Sequence, residues 1–385
     1  MKISRIEAFP ISLARDREAA TGTAGSPTQL VAGSHALRWS STVATVYSER
    51  FETTLVRVTL ADGRTGWGEA QAPVAPRVAA AIVDDILAPV LAEEEFDGSR
   101  ANIEHLWARM FQSMRVRGQT GGFMLDAISG VDIALWDLAG QWKGRPVAAL
   151  LGAKAASVPA YLSGLAGATL DDRIAFARGY FDQGFRTFKI FYDASAESLL
   201  ATLDGLRQEL GGQARLAVDA LWRLEWPTSR GLIEALAQRD ILWLEAPFMP
   251  DDTAAHEALV AAMPTVPHAL GESYRTRREM SWFLERGLVK FVQPDLGRSG
   301  ITETLRIAQA GVTVVPHVSV ALGPQIAAAI HTAAAVSPLC EFNPAVFEMC
   351  NRFLTPPLAI HGAFYQVSTT PGLGLEIPLD RFAIT

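Results

Sequence analysis

Between Lys189 and Glu341 the sequence repeats short apolar runs that each end on a single polar residue. These polar residues are Lys189, Asp219, Glu245, Glu272, Asp295, His317 and Glu341, separated by 30, 26, 27, 23, 22 and 24 residues. A strand, a helix and two loops together need about that many residues, so the period predicts repeated βα units. Runs that are apolar on both faces are typical of parallel strands buried on each side.

One further strand, predicted in residues 158–165, precedes the seven marked strands and brings their number to eight. If eight such strands close into a barrel, the polar residues at their carboxyl ends all face one bowl. Barrel enzymes keep their chemistry on that face. We therefore expect an α/β protein with a (β/α)8-type, modified TIM barrel and an α+β capping domain.

Residues 1–150 lack this βα rhythm. Residues 2–13 alternate like a strand, ETTLVRVTLADGRTGWGEA predicts a hairpin that turns at Asp62-Gly63, and helical patterns follow at 76–93, 99–113 and 124–142. Residues 14–48 lack periodicity, so we expect a long loop there. The predicted domains are an N-terminal α+β capping domain in 1–150, the barrel in 151–350 and a C-terminal segment, 351–385, that returns to the capping domain.

Composition limits the partners and the compartment. The chain is 49% apolar and 19% charged with a formal charge of −7, so we expect no nucleic-acid partner, because nucleic acid binds to a basic face. No apolar run reaches membrane-spanning length, and the start lacks the layout of a signal peptide. Cys340 and Cys350 are the only cysteines, which favours a reducing compartment. We expect a cytoplasmic protein that binds neither nucleic acid nor membrane.

Asp219, Glu245 and Glu272 end three successive predicted strands. Three converging carboxylates would repel one another, and a hard divalent cation with oxygen ligands removes that conflict. The alternative is that each acid pairs with a nearby Lys, Arg or helix N-terminus. For three acids on successive strands, Mg²⁺ is the favoured interpretation.

His317 is one of seven histidines, and Asp295 occupies the equivalent position one strand earlier. Neighbouring strand ends would let the carboxylate orient the imidazole and raise its basicity. Asp295 could instead cap the following helix. Lys189 and Glu341 flank the acids from the other direction, either as a site for a substrate carboxylate or as an ordinary ion-pair partner and strand-end acid.

Together these residues resemble the enolase superfamily and, within it, the mandelate racemase-like subgroup. The resemblance extends over nearly the whole chain, including SGVDIALWDLAGQWKGRPV before the barrel and PGLGLEI after it. It implies Mg²⁺ as cofactor, a proton abstraction α to a carboxylate, and an enediolate whose charge Mg²⁺ and Lys189 offset. The implied roles are Mg²⁺ ligation by Asp219, Glu245 and Glu272, an Asp295–His317 dyad, Glu341 as the eighth-strand acid, and Lys189 as the first lysine of a Lys-x-Lys motif.

Two positions depart from the subgroup pattern. Phe191 replaces the second lysine of the motif, and Leu221 stands where Asn or a catalytic His is common. His317 is then the single candidate acid/base, which argues against a racemase, because a racemase of this type uses two bases. We therefore expect a carbon–oxygen lyase that dehydrates an aldonic or aldaric acid to a 2-keto-3-deoxy acid. The alternatives are a cycloisomerase or one-base epimerase, or a catalytically decayed barrel that only binds a metal or ligand.

Specificity in this superfamily comes largely from the capping unit, which implies substrate contacts in residues 14–50, in EAQAPV and at Arg115 and Arg117. Tyr192, Trp222 and Tyr274 lie within a few residues of the predicted ligands and are candidates to line the pocket. Surface positions for the arginines and core packing for the aromatic residues are the alternatives. We also expect a homo-oligomer, although the sequence does not identify its form.

Overall fold

The computed structural model describes residues 1–14, 28–32, 36–41, 44–153 and 155–382. The strands are β1 (Ile3–Ala14), β2 (Thr28–Leu30), β3 (Leu37–Ser40), β4 (Thr45–Ser48), β5 (Arg50–Leu60), β6 (Thr65–Ala70), β7 (Ser157–Ser163), β8 (Thr187–Phe191), β9 (Arg215–Asp219), β10 (Leu244–Glu245), β11 (His268–Leu270), β12 (Phe291–Val292), β13 (Thr313–Val314), β14 (Cys340–Phe342), β15 (Ile360–His361) and β16 (Phe364–Gln366). The α-helices are α1 (Pro76–Ile82), α2 (Ala88–Leu91), α3 (Arg100–Arg115), α4 (Phe123–Lys143), α5 (Val147–Leu150), α6 (Leu170–Asp182), α7 (Ala196–Leu210), α8 (Arg230–Ala237), α9 (Thr253–Ala262), α10 (Ser281–Glu285), α11 (Leu296–Ala308), α12 (Pro324–Val336) and α13 (Pro344–Asn351). None of the described helices is long and apolar enough to cross a membrane.

The N-terminal region contains an antiparallel sheet in the order β1-β5-β6, covered by α4. The predicted hairpin forms between β5 and β6, and Gly63 takes a φ of 88° in its turn. A side chain at Gly68 would collide with the carbonyl of Gly130 in α4, so glycine allows this helix to approach the strand. The predicted helix at 76–93 is divided, because residues 83–87 form a π-helical turn between α1 and α2.

Residues 14–48 differ from the predicted loop. Their described parts contain β2, β3 and β4, which form a small antiparallel sheet of their own. These strands are three or four residues long and mostly polar, so they carry too little alternation for the sequence to indicate them. His35 lies outside the described residues.

Eight parallel strands follow, as the period predicts. They pair in the order β14-β7-β8-β9-β10-β11-β12-β13, with helices between successive strands. Two of these helices end or begin where the sequence indicates. Helix α7 ends at Gly211, whose φ is 70°, and α12 begins at Pro324. Thr276 and Glu279 exchange both hydrogen bonds of the predicted capping box, at 3.1 and 3.2 Å.

Side chains from seven of these strands, or from residues next to them, meet in one apolar interior. Its buried members are Tyr161, Ala217, Trp243, Ala269, Phe291, Val315 and Leu339. The rings of Tyr161 in β7 and Trp243 beside β10 lie 5.3 Å apart although two strands separate β7 from β10. The sheet therefore curls around this interior, and the carboxyl ends of its strands face a common space.

The C-terminal residues contact both the parallel strands and the N-terminal region. The hairpin of β15 and β16 pairs antiparallel with β7, which the sequence did not indicate. Farther on, the Leu373 N–H donates to the buried Asp137 of α4 at 2.7 Å, and Asp137 also accepts from the Trp67 N–H of β6 at 2.8 Å. One buried carboxylate thus connects the C-terminal segment to the N-terminal sheet.

Candidate active site

The acidic side chains lie where β9, β10 and β11 end. Asp219 and Glu245 are direct neighbours in the parallel register of β9 and β10, and Glu272 follows β11 by two residues. Gly271, with a φ of 156°, separates β11 from Glu272, and a Cβ there would lie 2.3 Å from the Gln293 backbone nitrogen. Glycine is required at this position because the two backbones approach so closely.

Lys189, in the middle of β8, is the central cation. Its fully buried Nζ lies 2.6 Å from Glu245 Oε1, 2.9 Å from Glu341 Oε1 and 3.5 Å from Asp219 Oδ2. A buried charge of this kind is stable only when it is paired on several sides. Lys189 therefore joins acids from three other strands into one cluster.

His317 follows β13 and completes the cluster. Its Nδ1–H donates to Asp295 Oδ2 at 3.0 Å, and its Nε2 lies 3.2 Å from Glu272 Oε2 and 3.8 Å from Glu341 Oε2. Asp295 also caps α11, because its Oδ1 accepts from the Gly297 N–H at 2.9 Å. The two interpretations of Asp295 are thus compatible: the helix cap fixes the carboxylate that orients the imidazole.

The cluster holds more negative than positive charge. Burial raises the pKa of Asp219 to about 6 and that of Glu245 to about 7, partly against the effect of Lys189, and it also raises the pKa of Glu272. Burial opposes the protonation of His317, yet the charges of Glu272 and Glu341 and the hydrogen bond with Asp295 raise its pKa to about 10. These carboxylates favour any additional cation that can reach them.

A divalent cation fits this donor set. One ligand atom from each of Glu245, Glu272 and His317 lies within 4.8 Å of the others, and the buried Glu272 Oε1 has no hydrogen-bond partner among the described residues. Asp219 is outside that set of three, and its Oδ2 lies 3.5 Å from Lys189 Nζ. Carboxylate oxygens are the ligands that Mg²⁺ prefers, and an unpaired buried oxygen is otherwise costly.

Two family models match the chain along most of its length. The one described as "Mandelate racemase / muconate lactonizing enzyme, N-terminal domain" matches residues 31–152, and the one described as "Enolase C-terminal domain-like" matches residues 172–381. The chain belongs to the enolase superfamily. Within that superfamily it is mandelate racemase-like.

Superfamily relatives are similar over most of their length. D-galactarolactone cycloisomerase from Agrobacterium fabrum is 32% identical over 346 residues, covering 85% of this chain and 89% of the relative. D-galactonate dehydratase from Ralstonia pickettii is 29% identical over 345 residues, covering 84% and 88%. A crystal structure of an enolase superfamily member from Agrobacterium tumefaciens superposes with a TM-score of 0.89 at 32% identity, covering 98% of this chain and 96% of that one.

Phe191 and Leu221, the two positions that depart from the subgroup pattern, have defined structural settings. The ring of Phe191 lies 5.6 Å from Lys189 Nζ and packs over Gly164, where a Cβ would be 2.7 Å from the ring edge. Leu221 has a φ of 52°, and its N–H donates to Asp219 Oδ1 at 3.0 Å. Phe191 fills space beside the lysine without a group that can exchange protons, and Leu221 positions Asp219 through its backbone.

The candidate pocket residues fall into two groups. Trp222 and Tyr274 line a small cavity with Glu245 and Glu272, and the Tyr274 hydroxyl donates to the Pro250 carbonyl at 2.7 Å. The Tyr192 N–H donates to the Asp219 carbonyl at 2.8 Å, directly after β8. All three aromatic residues therefore lie beside the acidic cluster.

The predicted arginines are placed differently. Arg115 ends α3 as an exposed residue whose guanidinium lies 6.0 Å from the ring of Phe111 in the same helix, and Arg117 is exposed in the following turn. Within the described residues, neither arginine forms an ion pair with the acidic cluster. Their contacts therefore give no support to substrate binding, which stays a prediction for both.

Sequence reasoning missed several residues of the site. Trp243 Nε1 and Gln293 Nε2 donate to Glu245 Oε2 at 2.9 and 2.6 Å. Each lies two positions before a predicted site residue, so the strand period of two could have identified both. Tyr47 of β4 is half-buried, and burial raises its pKa while Arg223 lowers it and Glu272 raises it. Tyr47 therefore lies close enough to Glu272 for their charges to interact, and it belongs to residues 14–50, for which the resemblance implied substrate contacts.

Proposed function

We propose that this protein dehydrates an aldonic or aldaric acid to a 2-keto-3-deoxy acid, with His317 as the base that removes the proton α to the carboxylate. The observation that carries the proposal is the orientation of His317. Its Nδ1 faces Asp295 at 3.0 Å, and its Nε2 is directed into the acidic cluster beside Glu272. Similarity to an acid-sugar dehydratase and to a cycloisomerase of an acid-sugar lactone supports the substrate class.

The dyad sets the tautomer. Without an added cation, Glu272 and Glu341 keep the pKa of His317 at about 10, and a cation bound by Glu272 would offset one of the charges that raise this pKa. Because Asp295 accepts the Nδ1 proton, the imidazole then carries its lone pair on Nε2, the nitrogen that faces the cluster. The ionised Asp295 also stabilises the imidazolium that forms when Nε2 takes the α-proton. Asp295 contributes this effect without exchanging a proton itself.

Mg²⁺ would be held by Asp219, Glu245 and Glu272, whose carboxylates end or follow three neighbouring strands. When bound, the ion supplies positive charge that offsets the negative charge of the enediolate. Lys189 adds a second positive charge next to the same acids. Despite burial, Lys189 and His317 lower the pKa of Glu341 to about 2, so this carboxylate, which accepts the Val318 N–H at 2.8 Å, is placed to accept a hydrogen bond from a substrate hydroxyl.

In the proposed elimination, both proton transfers take place on one face of the substrate. As the enediolate collapses, the bond from the β-carbon to its hydroxyl breaks, and the His317 imidazolium returns its proton to the departing oxygen as water. The enol product then becomes the 2-keto acid. Phe191 has no proton to exchange on the opposite side, which favours elimination over racemisation.

Cycloisomerisation is a second candidate, favoured by the 32% identity to a galactarolactone cycloisomerase. In a 1,4-lactone of an aldaric acid, the ring oxygen sits β to the free carboxylate. The same proton abstraction by His317 would therefore expel a carboxylate instead of hydroxide and need less acid assistance. Both reactions give a 2-keto-3-deoxy acid, and they differ in the leaving group.

We also infer that the eight strands close into a (β/α)8 barrel, with 1–150 as its capping domain and 351–385 as the returning segment. The Val318–Glu341 hydrogen bond, which links the residue after His317 to β14, supports this closure. Tyr192, Trp222 and Tyr274 are proposed as pocket residues because they border the acidic cluster.

The test is a panel of aldonic acids, aldaric acids and aldaro-lactones, incubated with the purified protein and Mg²⁺ and assayed for 2-keto acid. We expect a free acid to react, and we expect a chelator to abolish and added Mg²⁺ to restore the reaction. Reaction of lactones alone would favour cycloisomerisation. Absence of product and of solvent deuterium exchange in every compound would refute both and favour a decayed binding barrel.

A further inference from the structure

Gln71 connects the N-terminal region to the loops that carry the catalytic groups. It follows β6 directly and is 4% exposed. Its side-chain Oε1 accepts from Arg298 Nε at 2.6 Å, its Nε2 donates to Ser319 Oγ, and its backbone N–H donates to the Gly297 carbonyl at 2.8 Å. Gln71 thus forms three hydrogen bonds, and its partners lie in the segments that follow two different strands, β12 and β13.

Arg298 extends this connection to Glu272. Its Nη1 donates to the Glu272 backbone carbonyl at 2.8 Å, while its Nε is held by Gln71. A planar guanidinium that donates to two partners fixes the position of each partner relative to the other. The position of the Glu272 backbone after Gly271 therefore depends on a side chain from α11 that the N-terminal region orients.

The other two contacts of Gln71 lead to the dyad. Gly297 donates to Asp295 Oδ1 at 2.9 Å, and Ser319 lies two residues after His317. A Cβ on Gly297 would lie 1.6 Å from Gln325 Oε1 and 2.8 Å from Gln71 Cβ, so this junction is tightly packed. Displacement of Gln71 would therefore shift the ends of β11, β12 and β13 relative to one another.

We propose that Gln71 and Arg298 are positioning residues that set the mutual geometry of Glu272, Asp295 and His317. The inference rests on the proposed function for its catalytic part, because it predicts an effect on proton abstraction. Its metal-binding part does not depend on turnover, since Glu272 is a proposed ligand. Groups that orient ligands typically change metal affinity or activity by about 10- to 100-fold when they are replaced.

Gln71→Met keeps the approximate volume of the side chain and removes both of its side-chain hydrogen bonds. We expect kcat to fall by about 10- to 100-fold with KM changed less than about twofold, because Gln71 is buried and both of its side-chain hydrogen bonds go to protein groups. Gln71→Glu retains the acceptor for Arg298 and loses only the donor to Ser319, so it should recover most of the activity and match Ser319→Ala.

Arg298→Met should weaken Mg²⁺ binding by a similar factor, measured by calorimetry on the complete chain. The double variant Gln71→Met with Arg298→Met should be no worse than the more impaired single variant, since both act through one connection.

Trp136→Phe is the matched control. Trp136 Nε1 donates to Thr302 Oγ1 at 3.0 Å, a buried hydrogen bond between α4 and the same helix α11 that does not reach the dyad. This variant should lower the melting temperature and leave kcat, KM and Mg²⁺ affinity unchanged.

The outcomes separate the inference from the proposed function. If the natural protein dehydrates an acid sugar and Gln71→Met does so at an unchanged kcat, the positioning role is wrong. A melting temperature lowered in Gln71→Met with kinetics like those of Trp136→Phe would also overturn it. If the natural protein turns over no acid sugar, the proposed function fails, and the Mg²⁺ affinities of the Gln71 and Arg298 variants decide the inference alone: weakened binding supports it and unchanged binding refutes it.

Discussion

Lys189→Met removes a buried cation that contacts Glu245, Glu341 and Asp219 together. Removing one partner of a buried ion pair costs about 3–5 kcal/mol, because the remaining charge stays buried without compensation. The pKa of Glu245 is already raised to about 7, so the variant can take up a proton there in place of the lysine charge. We therefore expect the lower part of that range, ~3 kcal/mol near neutral pH.

The direction in which the stability of Lys189→Met changes with pH follows from the pKa of Glu245. Burial raises the pKa of Glu245 to about 7 although Lys189 lowers it, so removing the lysine raises this pKa further. The folded variant keeps the proton to higher pH than the natural protein, and its destabilisation should therefore increase as the pH rises above about 7. Urea unfolding followed by circular dichroism measures it. Lys290→Met, an exposed lysine, is the control and should stay within about 0.5 kcal/mol of the natural protein. Equal stability of Lys189→Met and Lys290→Met would refute the reasoning.

Two further predictions concern single side chains. Asp295→Asn should lower kcat by roughly 10²- to 10⁴-fold in steady-state assays. The amide cannot accept hydrogen bonds from both Gly297 and His317, so the tautomer of the His317 imidazole changes. A change in KM alone would contradict this role. His331 is buried, accepts from the Ala148 N–H at 3.0 Å and has its pKa lowered to about 4 by burial. The unfolded chain therefore binds a proton first as the pH falls from about 6.5 to about 4, which removes up to ~3 kcal/mol of stability. His331→Gln should lose less stability than the natural protein over that range, and an equal loss in both would argue against a neutral buried imidazole.

The sequence predicted the eight parallel strands because each one is apolar and bounded at a regular interval. Asp219 and Glu245 end their strands as expected. Glu272, Asp295 and His317 lie two or three residues beyond the last strand residue, where the backbone follows neighbouring loops. The period could place them at one end of the sheet, but it could not determine which atoms meet.

Contacts between distant parts of the chain were not predictable. The β16 strand joins β7 through backbone hydrogen bonds that carry no pattern in the side chains. Lys189 was expected to flank the acids, yet its three ion pairs depend on the curvature of the sheet. The role of Gln71 depends on two loops more than 200 residues away along the chain. Homo-oligomerisation and a cytoplasmic location stay predictions.

The most direct test of the account is α-proton exchange in His317→Asn. Asparagine fits the space of the imidazole approximately but cannot serve as the base. With the substrate found in the acid-sugar panel, with Mg²⁺ and in deuterated water, nuclear magnetic resonance should detect neither deuterium at the α-carbon nor 2-keto acid. The control His361→Asn, which changes an exposed histidine in β15, should behave like the natural protein. Undiminished exchange or turnover in a folded His317→Asn variant would contradict the central claim.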